Sequence, residues 1–273
     1  MEKRQFDVTV LASFLLTSLK TVSVPRATLL WKPIRVEPHV MFLPCWNVLE
    51  KKTAFIGKVG KDMFGNQLKS AVEEVGIDTR NLILDEKYHT TLAFVHTYPD
   101  GDRDFSFYRD PGADMMLTKD EVQKELIESS RIFHFGTLSS THEGVREATR
   151  HAIELAKEAG CIITFDPNLR PPLWKSLDDA RAEIEYGMSK CDVLKISDNE
   201  VEFMCGTTDY DKGAAMIQEK YNIPLILITL GKDGSRAYYK KYASRSSSIP
   251  SGKYNRDYRC RRYFLCKYFK LCT

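Results

Sequence analysis

SRIFHFGTLSSTHEGVREATRHAIELAKEAGCIITFDPN, residues 130–168, decides the fold. It opens on a buried-strand run, Ile132 to Phe135, and then changes period. Val145, Ala148, Ala152, Leu155 and Ala156 recur every three or four positions, the mark of a helix with one apolar face. Gly160 is placed to end that helix, and Cys161–Phe165 is a second apolar run, closed by Asp166-Pro167-Asn168. A strand, a helix and a strand over this length make a parallel crossover, because two parallel neighbours cannot be joined by a tight turn.

The same alternation extends in both directions. Upstream, TAFIGKV (53–59) reads as a strand and MFGNQLKSAVEEVG (63–76) as a helix stopped by Gly76. Downstream, SLDDARAEIEYGMSK (176–190) reads as helix and CDVLKISDN (191–199) as strand. NEVEFMCG and DYDKGAAMIQEKYN then read as helices, and PLILITLG (224–231) as a strand. A parallel sheet covered by helices on both faces follows. One segment breaks the rhythm: HTTLAFVHTYPDGDRDFSFYR (89–109) is two alternating strands around a Pro-Asp-Gly turn, expected to project as a small lid. With 273 residues, the chain is read as one α/β core over 51–239, lid strands near 88–110, and two unlike ends, 1–50 and 240–273.

In open α/β sheets ligands bind beyond the carboxyl ends of the strands. Three successive strand ends here are polar: Asp166, Asn168 and Arg170; then Lys195, Asn199 and Glu202; then Thr229, Gly231 and Gly234. Acid, amide and base at a strand end suit an oxyanion or a Mg²⁺ shell, and glycines let backbone N–H groups approach a phosphate. Each motif alone is also explained by turn and cap chemistry; Phe105 and Phe107 likewise suit packing beneath the hairpin. No GxGxxG follows a strand, which argues against a dinucleotide-binding oxidoreductase.

At these residues the chain resembles the ribokinase-like (PfkB-type) carbohydrate kinases, and bacterial fructokinases most. The runs that carry the resemblance are FIGKVGKDMFG (55–65), FSFYRDPGAD (105–114), HFGTLS (134–139), FDPNLR (165–170), ISDNEVEFM (196–204) and ITLGKDGS (228–235). The resemblance implies a three-layer α/β sandwich with a β lid, incomplete here at both ends, and transfer of the ATP γ-phosphate to a hexose primary hydroxyl with Mg²⁺. It assigns Lys195, Thr229, Gly231 and Gly234 to the nucleotide. Asp166, Asn168, Asn199 and Glu202 go to phosphate and Mg²⁺, with Glu202 acting on the metal indirectly. Phe105 and Arg170 go to the sugar, fructose first and 2-keto-3-deoxygluconate second. It also implies a cytoplasmic enzyme and a homodimer through the lid, with neither nucleic acid nor membrane as partner.

Two family parts are missing: an early acidic sugar ligand with its Gly-Gly motif, and the late GAGD turn whose Asp is the base. No catalytic residue is therefore assigned. Both gaps fall in the compositionally odd ends. Residues 8–49 hold a single acid, Glu37, among scattered prolines. Residues 240–273 hold ten Lys/Arg against Asp257, leaving 30 bases against 36 acids in 1–239. One permitted encoding of Arg259–Tyr263, read from its second base, spells Gly-Ala-Gly-Asp. One of Pro33–Val40, read from its third, spells Asn-Pro-Gly-Gly-Ala-Pro-Cys. Leu49–Thr53 admits a run of A where a slip would restore frame. Both ends are accordingly read as frame-shifted text. The signal-like VTVLASFLLTSL, the basic–aromatic tail and the terminal cysteines then need no role in secretion, nucleic-acid binding or zinc binding. The chain as written is expected to be inactive, a defective nucleotide-binding relative, with its cysteines reduced.

Overall fold

The computed structural model describes residues 4–13, 16–19, 35–36, 51–97, 103–239 and 242–246. Strands β1 (Phe6–Leu11), β4 (Thr53–Gly60), β5 (Asp78–Asp85), β8 (Ser130–Gly136), β9 (Ile162–Asp166), β10 (Val193–Ser197), β11 (Leu225–Thr229), β12 (Ser235–Tyr239) and β13 (Tyr242–Ser246) form one sheet. Its order is β13-β12-β11-β10-β9-β8-β1-β4-β5. Every pairing from β5 to β11 is parallel, and β12 and β13 add an antiparallel edge. The expected parallel α/β sheet is present.

Helices α1 (Met63–Glu74), α2 (Lys124–Glu128), α3 (Glu143–Glu158), α4 (Leu177–Lys190), α5 (Asp198–Cys205) and α6 (Tyr210–Tyr221) flank it. The 130–168 reading holds in detail. On α3, Val145, Ala148, Ala152, Leu155 and Ala156 are buried, and Gly160 takes φ 63° just past the helix end. The larger core lies beneath α3–α6, where Phe133, Phe135 and Phe165 are packed and the Phe135 and Phe165 rings stack 4.7 Å apart. A second core, with Val8, Val10, Phe55, Val59, Leu68 and Val72, occupies the other face under α1. The two cores make the layers.

Four further strands form a separate small sheet: β2 (Leu16–Leu19), β3 (Arg35–Val36), β6 (Leu92–Thr97) and β7 (Arg103–Tyr108), in the order β3-β2-β6-β7. The expected hairpin, β6 against β7, thus lies outside the central sheet, and β2 extends it as a parallel neighbour.

Three strands of the central sheet escaped the sequence reading. Asp78–Asp85 is an edge strand with charge at both ends, so it shows little apolar alternation. Ser235–Tyr239 and Tyr242–Ser246 form a hairpin that carries the sheet past residue 239, into the segment expected to be irregular. Phe6–Leu11, which opens into the VTVLASFLLTSL run, sits between β4 and β8 with Val8, Val10 and Leu11 wholly buried. The other residues expected to be irregular, 20–34, 37–50 and 247–273, lie outside the described residues. Among the described residues no helix is long and apolar enough to cross a membrane, and Cys161, Cys191 and Cys205 are free thiols.

Candidate active site

Strands β9, β10 and β11 are consecutive parallel neighbours, with Val193 opposite both Thr164 and Leu225 and Ser197 opposite Thr229. Their polar ends are therefore set side by side. Lys195 Nζ stands 3.0 Å from Asp166 Oδ1, both side chains nearly excluded from solvent. Each cancels the other's charge, which lets a lysine and an aspartate sit inside a sheet. The turn after Asp166 is held from β8, where the Thr137 hydroxyl donates to the Pro167 carbonyl at 2.6 Å. Asn168 follows in the left-handed region, φ 48°, which asparagine tolerates better than most residues.

Two groups in this row have no hydrogen-bond partner among the described residues. Asn168 Nδ2 and Thr229 Oγ1 are buried and unpaired. Buried polar atoms are nearly always satisfied, so two of them at the ends of β9 and β11, on either side of β10, are the kind of groups a polar ligand satisfies. Arg170 Nε is in the same condition, while its Nη1 donates to the Leu169 carbonyl. The Arg170 guanidinium carbon lies 5.5 Å from the ring centre of Phe105, so the structure brings together the two residues assigned to the sugar. Phe107 stacks parallel to Phe105 at 6.0 Å and packs with Ala93, Leu138 and Leu173, the packing role foreseen for one of the pair.

Asn199 and Glu202 are both exposed on α5. The carboxylate turned into the junction of β9 and β10 is Glu200 between them, 6% exposed. Its Oε1 accepts from the Leu169 amide at 2.8 Å, and its Oε2 accepts from the Ser197 amide and hydroxyl, each at 2.8 Å. Ser197 and Glu200 are thereby a capping box on α5. The interval is the same as in Asn199-x-x-Glu202, so spacing alone does not separate the two pairs; the helix period does, because 200 faces inward when 199 and 202 face out. The Ser-x-x-Glu pattern was the available signal.

Gly231 (φ 53°) and Gly234 (φ 93°) shape the turn between β11 and β12, closed by Leu230 N–H to the Gly234 carbonyl at 2.9 Å. The antiparallel hairpin by itself demands both glycines. A Cβ at Gly231 would meet no described atom within 4 Å, so the left-handed φ rather than crowding is what favours glycine there.

A Mg²⁺ carried in on phosphates keeps several waters and needs only one or two carboxylates. Asp166 and Glu200 are the candidates, although Asp166 Oδ1 already pairs with Lys195 and both Glu200 oxygens already accept from Leu169 and Ser197.

The pfkB family carbohydrate kinase pattern matches residues 45–254. Fructokinase-2 of Solanum lycopersicum is 42% identical over 191 residues, covering 70% of this chain and 58% of that enzyme, so the resemblance extends to plant enzymes. The chain thus spans under two thirds of that relative's length. A fructokinase from Xylella fastidiosa superposes with TM-score 0.78 at 26% identity, over 89% of this chain and 76% of that one. The Vibrio cholerae fructokinase with fructose, ADP and calcium superposes with TM-score 0.76 at 23% identity, over 89% and 77%. With this fold, these strand ends and these matches, the chain belongs to the pfkB family of carbohydrate kinases.

Proposed function

We propose that this is a fructokinase-type chain whose strand-end row receives Mg²⁺-ATP and whose lid covers a hexose, and that the chain as written transfers no phosphate at a useful rate. The observation that carries the first half is the unpaired Asn168 Nδ2 and Thr229 Oγ1 beside the Lys195–Asp166 pair. These are donors and a fixed charge pair at strand ends, in a fold shared with a Vibrio cholerae fructokinase solved with fructose and ADP bound. Glu200 takes the metal-organising role in preference to Asn199 and Glu202, because it is the buried carboxylate at the junction. Mg²⁺ supplies neutralisation of phosphate charge when bound. Lys195, Asn168 and Thr229 orient the phosphates, and Arg170 stands between phosphate and lid.

The second half rests on what residues 259–262 are. Arg-Cys-Arg-Arg offers neither a carboxylate base nor the glycine amides of an anion hole. One such stabilising group is worth roughly 10²–10³ in rate, and here several are absent together. Frame-shifted text at both ends accounts for those losses at once. The lid is also read as a dimer contact: β7 is the edge of its sheet, and Phe94 and Tyr108 meet edge-on at 5.3 Å with Tyr108 67% exposed. Sedimentation of the wild-type chain and Tyr108→Ser, the second expected to be more monomeric, tests that contact.

The main test is ATP-dependent phosphorylation of fructose by this chain and by a version with both end segments restored to frame. Activity in the restored chain alone is the expected result. Equal turnover in both would overturn the inactivity. Activity of the restored chain on 2-keto-3-deoxygluconate and not on fructose would move the substrate to a sugar acid.

A further inference from the structure

The lid meets the central sheet at a buried ion pair that the strand-end site does not use. Arg109 Nη2 lies 2.6 Å from Asp114 Oδ2, and its Nε donates to the same oxygen at 2.9 Å; the side chains are 4% and 1% exposed. Removing two charges from water is costly, and a buried pair is retained most understandably where it fixes geometry.

Three chain crossings between the two sheets converge there. The first runs from β1 into β2 past Ser13, whose hydroxyl accepts from Arg109 Nη2 at 3.2 Å and donates to the Leu138 carbonyl at 3.0 Å. The second runs from β5 into β6 past Thr91, whose hydroxyl donates to Asp114 Oδ1. The third leaves β7 at Arg109 itself and reaches Asp114. The core side is completed by the turn after β8: Arg109 Nη1 donates to Thr141 Oγ1 at 2.8 Å and Nη2 to the Leu138 carbonyl at 3.1 Å. Gly112 lets the chain pass, since a Cβ there would lie 1.8 Å from Thr91 Oγ1.

We propose that Arg109 and Asp114 are positioning residues, a clasp that fixes the root of the lid and so sets where Phe105 stands over Arg170. Among the described side chains, the apolar contact beneath the lid joins Ala93 and Leu138 with Phe107 and Leu173. Arg109 is held as architecture: its charge is matched by Asp114, and its donors are directed to Asp114, Thr141, Ser13 and Leu138. A second fastening acts one residue away, where Asp62 accepts from the Thr90 amide and hydroxyl, each at 2.8 Å. The clasp stands whichever sugar the site takes.

Hydrogen exchange on the full chain tests it, read separately in 92–97 and 103–108 and in 162–166, 193–197 and 225–229. Asp114→Asn keeps the shape and an acceptor for Thr91 but removes the charge. The expected result is about tenfold faster exchange in the two lid strands with the three core strands unchanged. Equal acceleration in both sets would make the pair a general stabiliser, and an unchanged lid would make it irrelevant to the lid; either overturns the clasp. If Asp114→Asn does not fold, Thr91→Val decides, because it cuts one crossing and leaves the ion pair intact. Its expected effect is a several-fold acceleration confined to the lid strands, and no such confined effect overturns the proposal.

Discussion

The lid root and the strand-end row are both polar and buried, yet their hydrogen bonding is opposite. At the root, Arg109, Asp114, Thr91, Ser13, Asp62 and Thr90 answer one another. In the row, Asn168 Nδ2, Thr229 Oγ1 and Arg170 Nε are without partners among the described residues. A satisfied buried network rigidifies, whereas an unsatisfied one costs stability that only a ligand returns. That difference is the physical ground for proposing the row as a ligand site and the root as architecture.

The comparison breaks most visibly at Arg109. Arg109→Met leaves Asp114 charged, buried and unpaired, and the unfolding free energy is expected to drop by about 3–5 kcal/mol in a urea titration. Arg109→Met with Asp114→Leu removes both charges and is expected to recover most of that. A loss below about 1 kcal/mol in the single variant would show that the root is not a committed network.

Asp62 gives the next effect, and it is pH-dependent. Burial opposes its ionisation, but hydrogen bonds from the Thr90 and Gly65 amides and the Thr90 hydroxyl outweigh burial and hold its carboxyl below the ordinary 3.8. A depressed carboxyl contributes stability above its unfolded value and loses it as pH falls through the folded one. Asp62→Ala removes the N-cap of α1 as well as the Thr90 fastening, for an expected loss of roughly 1–2 kcal/mol at neutral pH. That loss should shrink steadily below about pH 4, and a difference constant down to pH 2.5 would contradict the assignment.

What could be read from the sequence divides along a similar line. The 130–168 crossover was legible because α3 buries residues at a clean helical period and Gly160 marks its end. Asp166, Lys195 and Thr229 were legible as strand-end polar groups, since successive strands in a parallel sheet bring such ends together. Glu200 was hidden by a repeated interval: Ser197-x-x-Glu200 and Asn199-x-x-Glu202 differ only in which face of α5 they occupy. The lid clasp was hidden for another reason. Ser13, Thr91, Arg109 and Asp114 come from three crossings, and Ser13 and Arg109 lie 96 positions apart. No local pattern encodes a contact of that separation; only the assembled topology does.

The smallest expected change is at Thr229, and it discriminates most sharply between a vacant ligand group and a structural one. Thr229 is 5% exposed and ends β11, and its hydroxyl has no partner among the described residues. Thr229→Val therefore removes an unsatisfied buried hydroxyl and keeps the shape. Stability is expected to hold or rise, by no more than about 1 kcal/mol, because a polar group buried without a hydrogen bond costs free energy. Nucleotide binding, measured by titration of Mg²⁺-ATP into the same two proteins, is expected to weaken in the variant. Thr91→Val at the root is the matched control: the same atom change there severs a bond to Asp114 and should lower stability. If Thr229→Val destabilised as much as Thr91→Val and left nucleotide affinity untouched, the row would be architecture too, and the contrast between the two regions would fail.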